Sequence, residues 1–258
     1  MRDLITSTAN PQVKRIRSLL RSRKDRHSER MFVAEGVRLV EEALGHGDPA
    51  CLLYDAAQLA DTPRGAALLE RLERHPAAYP VHPAILRDLT DVEAPQGVVA
   101  ALPWPALSPP QVALALILDG VQDPGNAGTL LRSAEAAGAD LVLALKGSAD
   151  LWSPKVVRAG MGAHLRLPIL VDLDWPAARA ALGGARIYAA TQDADLPYDA
   201  ADWRQPAALA VGNEANGVSA ETRAAAQPIT IPMLGQVESL NAAVAGSVIL
   251  FEAARQRR

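Results

Sequence analysis

Cysteine is almost missing from this chain: Cys51 is the single thiol in 258 residues. One thiol excludes an internal disulfide framework and any cysteine-based zinc site. Aromatic residues are also scarce, at 4%, so alanine, leucine and valine must supply the core. No apolar run approaches the ~18 residues that a membrane-spanning helix requires. The opening stretch MRDLITSTANPQ lacks the apolar centre of a secretory signal. No set of His, Asp and Glu has the spacing of metal ligands, and there is no internal repeat or low-complexity tract. These absences lead us to expect a cytoplasmic protein with no membrane segment and no metal. The hydrophobic content of 49% is ordinary for a globular chain.

The charge is unevenly placed. The net charge is −3. Residues 1–30, however, carry nine basic residues against three acidic ones, a local charge of +6. Within 11–24, PQVKRIRSLLRSRK, the apolar residues Val13, Ile16, Leu19 and Leu20 fall at helical spacing, with cations between them. Asn10 followed by Pro11 is a sound helix start. A basic face on a mildly acidic chain points to a polyanion, and Arg15, Arg17 and Arg21 are the candidate RNA contacts. Arg255, Arg257 and Arg258 add a shorter basic tail.

Residues 31–102 read as a small α/β unit, with strands over 31–34, 51–54 and 96–102 and helices over 37–44 and 65–74. Prolines 103, 105, 109 and 110 make 103–110 a semi-rigid linker. From 111 to 258, strands over 112–118, 140–145, 165–170, 185–190, 207–211 and 228–231 alternate with helices over 127–138, 153–160, 175–182, 219–226 and 240–254. Such alternation implies a parallel sheet with helices on both faces. Ligands of these sheets sit beyond the carboxyl ends of the strands.

Three loops follow such strands. The first lies in ALALILDGVQDPGNAGTLLRSAEAAGAD, residues 113–140, and the second in AALAVGNEANGVS, residues 207–219. The third opens IPMLGQVESLNAAVAGSVILF, residues 231–251, with Gly235, Gln236 and Glu238 in the loop. Gly212 and Gly217 have P-loop glycine spacing, but Val218 stands where the lysine belongs, which excludes a triphosphatase. No G-x-G-x-x-G is present, which argues against a dinucleotide site and an unrelated dehydrogenase. A phosphate-free cofactor needs backbone amides, small residues and an apolar wall; Val211-Gly212, Ile231-Pro232-Met233 and Leu240 offer them. Asn126 can cap the helix behind it or hold a substrate. Arg132, set among small apolar residues, can pair with Glu135 at i+3 or serve a site. Glu214 can cap the helix near Ser219, face water or orient Arg132 or Asn241. Ser239 is the expected N-cap of the last helix, with Asn241 in its first turn. Gly246 and Ser247 within that helix would let another backbone approach closely.

Taken in order, Asn126-x-Gly128 with Arg132, Gly212-Asn213-Glu214 with Gly217, and Ser239-Leu240-Asn241 resemble the three motifs of the SpoU (TrmH-type) ribose 2′-O-methyltransferases of the SPOUT superfamily. The segment RMFVAEGVRLVEEAL resembles the ribosomal-protein-like substrate-binding domain that precedes the catalytic domain in many of them, with Glu35 and Gly36 at its strand–helix turn. The resemblance implies an α/β fold with a C-terminal parallel-sheet domain tied in a trefoil knot. It implies S-adenosylmethionine as cofactor and a ribose 2′-hydroxyl of RNA as acceptor, ribosomal RNA before transfer RNA. It assigns Asn126, Arg132, Glu214, Ser239 and Asn241 to catalysis. It assigns Thr191, Val211, Gly212, Asn213, Gly217, Ile231, Met233, Ser239 and Leu240 to the cofactor. Arg15, Arg17, Arg21, Glu35, Asn126 and Arg132 would meet RNA, and the enzyme would be a homodimer with each site bordered by both subunits. A non-catalytic RNA-binding protein is the alternative reading.

Overall fold

A computed structural model describes residues 2–92, 94–108, 111–237 and 239–258. Pro109 and Pro110 of the expected linker, and Glu238 of the third loop, lie outside the described residues. The chain forms two compact units. One is Met1–Pro105 together with Trp152–Arg158, and the other is Ala106–Leu151 together with Ala159–Arg258.

The first unit begins with α1 (Pro11–Arg21) and α2 (Arg23–Glu29), where the apolar spacing predicts one helix. Ser22 causes the break. Its backbone N–H closes α1 on Ser18, and its hydroxyl accepts from Asp25 N at 3.1 Å to cap α2. Arg26 then folds back, 5% exposed, and donates to Leu19 O at 2.6 Å and Leu20 O at 3.2 Å. It thereby satisfies carbonyls that the end of α1 would leave open.

There follow β1 (Met31–Glu35), α3 (Val37–Ala43), β2 (Cys51–Tyr54), α4 (Ala56–Ala60), α5 (Pro63–Arg74), β3 (Ala78–Pro80), α6 (Pro83–Leu89) and β4 (Val98–Pro103). The sheet order is β1-β4-β2-β3. β4 is antiparallel to both neighbours, and β2 runs parallel to β3. Val13, Ile16 and Leu19 of α1 join Val33, Leu53, Ile85 and Val99 in one core cluster. Cys51 is in the same cluster, fully buried, and its thiol is pushed up to about 12 by burial, which outweighs the nearby Arg15 and Arg2.

Trp152 belongs to this unit through its aromatic ring. It stacks on Trp104 with centroids 4.6 Å apart and packs on Phe32 at 5.3 Å. Glu35, an expected RNA contact, is instead an internal group. Its side chain is 7% exposed, pairs with Arg158 at 3.1 Å and accepts from the Thr90 hydroxyl.

The second unit runs β5 (Leu114–Asp119), α7 (Pro124–Ala136), β6 (Leu141–Leu145), α8 (Pro154–Gly160, shared with the first unit up to Arg158), α9 (Ala163–Arg166), β7 (Ile169–Leu173), α10 (Trp175–Ala181), β8 (Arg186–Ala190), β9 (Ala207–Gly212), α11 (Ala220–Ala225), β10 (Gln227–Ile229) and α12 (Ala242–Gln256). Residues 165–166, expected in a strand, complete a short helix that Gly162 opens, and Pro168 follows it. The six strands are parallel, in the order β10-β8-β9-β5-β6-β7. β5 (LALILD) and β9 (AALAVG) are buried at every position, as a parallel strand covered on both faces must be. The chain builds outward from β5 through β6 and β7, then crosses over, so that β9 returns to lie beside β5. The strand order therefore reverses between β5 and β9. Such a switch point leaves a crevice beyond the carboxyl ends of the two strands, here where Asp119 faces Gly212.

α12 packs against α7 and β9. A Cβ on Gly246 would meet Leu130 Cδ2 at 2.4 Å and Val211 Cγ2 at 3.1 Å. Ser247 and Ser133 hydroxyls meet at 2.7 Å across the same contact. No helix is long and apolar enough to span a membrane, and no group of three potential metal ligands occurs, among the described residues.

Candidate active site

Beyond the carboxyl ends of β8, β9 and β10 lies a cavity of about 920 Å³. Three loops form it, each following a strand: 211–217 after β9, 190–193 after β8, and 229–233 continuing to 239–242 after β10. Thr191, Val211, Gly212, Asn213, Gly217, Ile231, Met233, Ser239 and Leu240 all line it, with Glu214 and Asn241. Asn126 and Arg132 are not part of the lining. Asn126 reaches the site through hydrogen bonds, and Arg132 stands one helix face away.

The 212–218 loop is held by its own residues. Asn213 and Gly217 exchange backbone hydrogen bonds at 2.9 Å. Asn213 Oδ1 accepts from the backbone N–H of Ala215 and Asn216, at 3.0 and 3.1 Å, and Nδ2 donates to Gly120 O at 2.9 Å. The Asn213 side chain therefore organises the loop. Asp119, nearly buried, accepts from Ser219 N at 2.6 Å and fixes the far end of the loop. A Cβ on Gly212 would strike Gly217 C at 2.2 Å and Val218 N at 2.3 Å. The glycine is required first by the loop's own return path.

The caps differ from those the motif spacing suggests. Asp123, not Asn126, caps α7, accepting from Asn126 N at 2.7 Å with Pro124 at the first helical position. Asn241, not Ser239, caps α12, accepting from Ala243 N at 2.9 Å and Val244 N at 3.2 Å. Because Asp123 does the capping, the Asn126 carboxamide is free for other partners. Its Nδ2 donates to Glu214 Oε1 at 2.9 Å, and its Oδ1 accepts from Asn241 Nδ2 at 3.0 Å. The Glu214 carboxylate also accepts from the N–H of Gln122 and Asp123, each at 3.3 Å. Burial pushes the Glu214 carboxyl up. The Asn126 amide and the backbone N–H groups of Glu214, Gln122 and Asp123 outweigh it and leave the group below the ordinary carboxylate range. Glu214 therefore serves neither α11, which Ser219 caps, nor Arg132. One residue from each loop motif thus enters a single polar relay, Glu214–Asn126–Asn241.

Arg132 projects from α7 exposed, and no hydrogen bond or ion pair of its guanidinium occurs among the described residues. Glu135, its expected partner, is taken by Arg166 at 2.8 Å. On the first unit, Arg15 pairs with Glu29 at 3.2 Å and Arg17 with Asp88 at 2.6 Å, while Arg21 stands exposed. The basic tail is largely committed as well. Arg255 pairs with Glu252 at 2.7 Å, and Arg257 donates to Ala113 O and Gln205 O at 2.6 and 2.8 Å.

The lining suits a neutral adenosine joined to a short charged chain. Ile229, Ile231 and Leu240 supply an apolar wall, and the 211–217 backbone supplies polar edges. Thr191 Oγ1 is buried without a hydrogen bond of proper geometry. It lies near enough to Asp193 to help lower that carboxyl, behind the effect of Asp193's own backbone N–H. Sequence reasoning missed Asp193 and Arg223, a 3.4 Å pair lining the same cavity. Neither falls in a motif, and only the β8–β10 neighbourhood brings them together.

Comparison with known proteins gives concordant matches. The model of the SpoU rRNA Methylase family matches residues 113–251, and that of the MRM3-like substrate binding domain matches residues 10–100. A 23S rRNA (guanosine(2553)-2'-O)-methyltransferase of Bacillus subtilis is 31% identical, over 96% of this chain and 97% of the relative. A 23S rRNA (uridine(2479)-2'-O)-methyltransferase of Streptomyces viridochromogenes is 33% identical, over 97% and 92%. The crystal structure of the SpoU methyltransferase AviRb from Streptomyces viridochromogenes in complex with the cofactor AdoMet superposes with a TM-score of 0.82, at 32% identity over 96% of this chain and 98% of that one.

Proposed function

The chain belongs to the SpoU rRNA methylase family, and from that premise we propose that it methylates a ribose 2′-hydroxyl of RNA, ribosomal RNA in preference to transfer RNA, with S-adenosylmethionine as donor. The observation that carries the reading is the Glu214–Asn126–Asn241 relay set beside the lined cavity.

Bound cofactor supplies an electrophilic methyl group on a sulfonium, whose charge is discharged on transfer. The protein must align an acceptor oxygen with that methyl and manage one proton. Thr191, Val211, Gly212, Gly217, Ile231, Met233, Ser239 and Leu240 would hold the donor, with the Asn213 backbone. Glu214 and Asn241 fix the Asn126 carboxamide, which still has one N–H and one lone pair for the ribose. Arg132 is a charged fork rather than a base. It clamps the phosphate beside the target ribose and stabilises the oxygen as negative charge develops. The proton leaves late, to water or to that phosphate.

Residues 1–102 act as the RNA-binding domain. Arg21 is an exposed cation there, and Arg15 and Arg17 exchange exposed carboxylate partners for phosphates. Val244, Val248 and Phe251 form an exposed stripe along α12 and support a homodimer. A lone species near 27.3 kDa in sedimentation at micromolar concentration would refute it. The trefoil knot of the C-terminal end and a cytoplasmic location complete the proposal.

The test is transfer of radiolabelled methyl to ribosomal RNA, with 2′-O-methyl positions mapped in total RNA from a deletion strain. One position should lose its methyl in the deletion. RNA binding without cofactor binding or transfer would instead favour a non-catalytic RNA-binding protein.

A further inference from the structure

Met161 is 51% exposed, and its backbone is left-handed, with φ of 47°. A single exposed apolar residue is ordinary. A non-glycine residue at positive φ is not, because its Cβ crowds the backbone. The surroundings hold this conformation in place. A Cβ on the preceding Gly160 would meet His164 Cε1 at 2.8 Å. The following residue, Gly162, is also left-handed, at φ 87°, and starts α9. His164 beneath is buried, and its Nε2 meets Leu151 O at 2.7 Å. The turn is thus fixed from below, and the large side chain it presents to solvent is Met161.

The turn lies against α7. The same Cβ on Gly160 would come within 3.9 Å of Gly128 O. Arg166 of α9 pairs with Glu135 of α7 at 2.8 Å, so α9 runs beside that helix. Arg132 lies four residues beyond Gly128, which places it about 40° further round the helix. It therefore stands on the strip of α7 that borders the Met161 turn.

We propose that Met161 contacts substrate, its thioether side chain covering one face of the target nucleotide's base while Arg132 holds the adjoining phosphate. This rests on the RNA-methylation reading above. Single-stranded RNA is recognised by splaying bases onto side chains that offer a flat or adaptable face. Methionine is flexible and polarizable, so it can cover any base without reading its hydrogen-bonding edge. Met161 would then strengthen the grip on the flipped nucleotide and leave sequence choice to other contacts.

The experiment compares Met161→Gly and Met161→Leu with wild type in the full chain. Glycine accepts the left-handed backbone without strain, so Met161→Gly should keep or raise Tm. Cofactor Kd and sedimentation should be unchanged. The RNA KM, and RNA Kd by filter binding, should rise severalfold, up to about tenfold, in line with the loss of one sulfur–aromatic contact. Met161→Leu should recover most of that loss. Unchanged RNA Kd in Met161→Gly would overturn the proposal. A lower Tm would assign the side chain to the fold, and dissociation of the oligomer would assign it to a subunit contact; either result overturns it too. If wild type binds RNA in a Met161-dependent way yet transfers no methyl, the methylation reading fails and the base contact stands.

Discussion

Both units tie down most of their arginines, and they differ in where they leave one open. In the first, the cations that stand out in the sequence are mostly tied down. Arg26 closes α1, Arg15 and Arg17 hold carboxylates, and Arg158 neutralises the buried Glu35. In the second, Arg166, Arg223, Arg255 and Arg257 are committed likewise, and Arg132 stands open beside a site whose Glu214, Asn126 and Asn241 side chains orient one another. Local charge density in a sequence therefore measures supply. Availability depends on which carboxylates and carbonyls the fold brings alongside.

The sharpest test of this contrast is Arg132→Ala. Removing a group that stabilises charge developing in the reaction should lower the single-turnover transfer rate by about 10²–10³-fold, with Tm and cofactor Kd unchanged. Arg132→Lys keeps the charge but loses the fork, and should retain partial activity at neutral pH. If the lysine variant is dead near neutrality and recovers steeply at high pH, a neutral side chain does the chemistry and the charged clamp is wrong.

His164 extends the contrast, since the second unit also commits a titratable group to structure. Burial lowers its pKa from 6.5 to about 4, against smaller opposing effects of the Leu151 carbonyl and Asp150. The folded state thus favours neutral imidazole. That contribution is complete above pH 6.5 and is lost as pH falls toward 4. At stake is on the order of 3 kcal/mol. Chemical denaturation at pH 7, 5.5 and 4.5 should show the loss, and His164→Gln should flatten that slope.

Arg26→Met should act on the fold alone. Leaving the last carbonyls of α1 without a donor costs about 1–3 kcal/mol, read as a lower urea midpoint. RNA affinity measured well below Tm should not change. The smallest effect belongs to Arg21→Glu. It should weaken RNA binding and reduce the log–log salt slope by about one, leaving Tm alone. An equal change from Arg17→Glu would show that its Asp88 partner gives way to phosphate freely.

The parallel sheet was legible because β5, β6 and β9 are unbroken apolar runs, and the first two motif loops because each follows one; the third follows only the short β10. What escaped the sequence was contingent on neighbours. Ser22 splits the basic helix because its hydroxyl and backbone serve two helix ends at once, which periodicity cannot register. α4 and β3 are too short to show a period, and α6 lies in a stretch broken by proline. The caps at Asp123 and Asn241 were misassigned because several Asx and Ser residues crowd each helix start and only geometry selects among them. Gly212, which the resemblance assigns to the cofactor, is also required by the loop's own return path. A valine there should now collapse the 212–218 loop, so loss of cofactor binding would come with a lower Tm.

Cys51 has a practical consequence for watching this protein at work. Burial pushes its thiol up to about 12 and shuts it inside the core, so little of it is the thiolate through which maleimides react. The native chain therefore behaves as cysteine-free toward labelling reagents. A single cysteine placed on the exposed face of α1, and another on the 234–237 loop, can carry a fluorophore pair without first removing Cys51. Distances between the basic helix and the 234–237 loop can then be followed through RNA binding in an otherwise native chain.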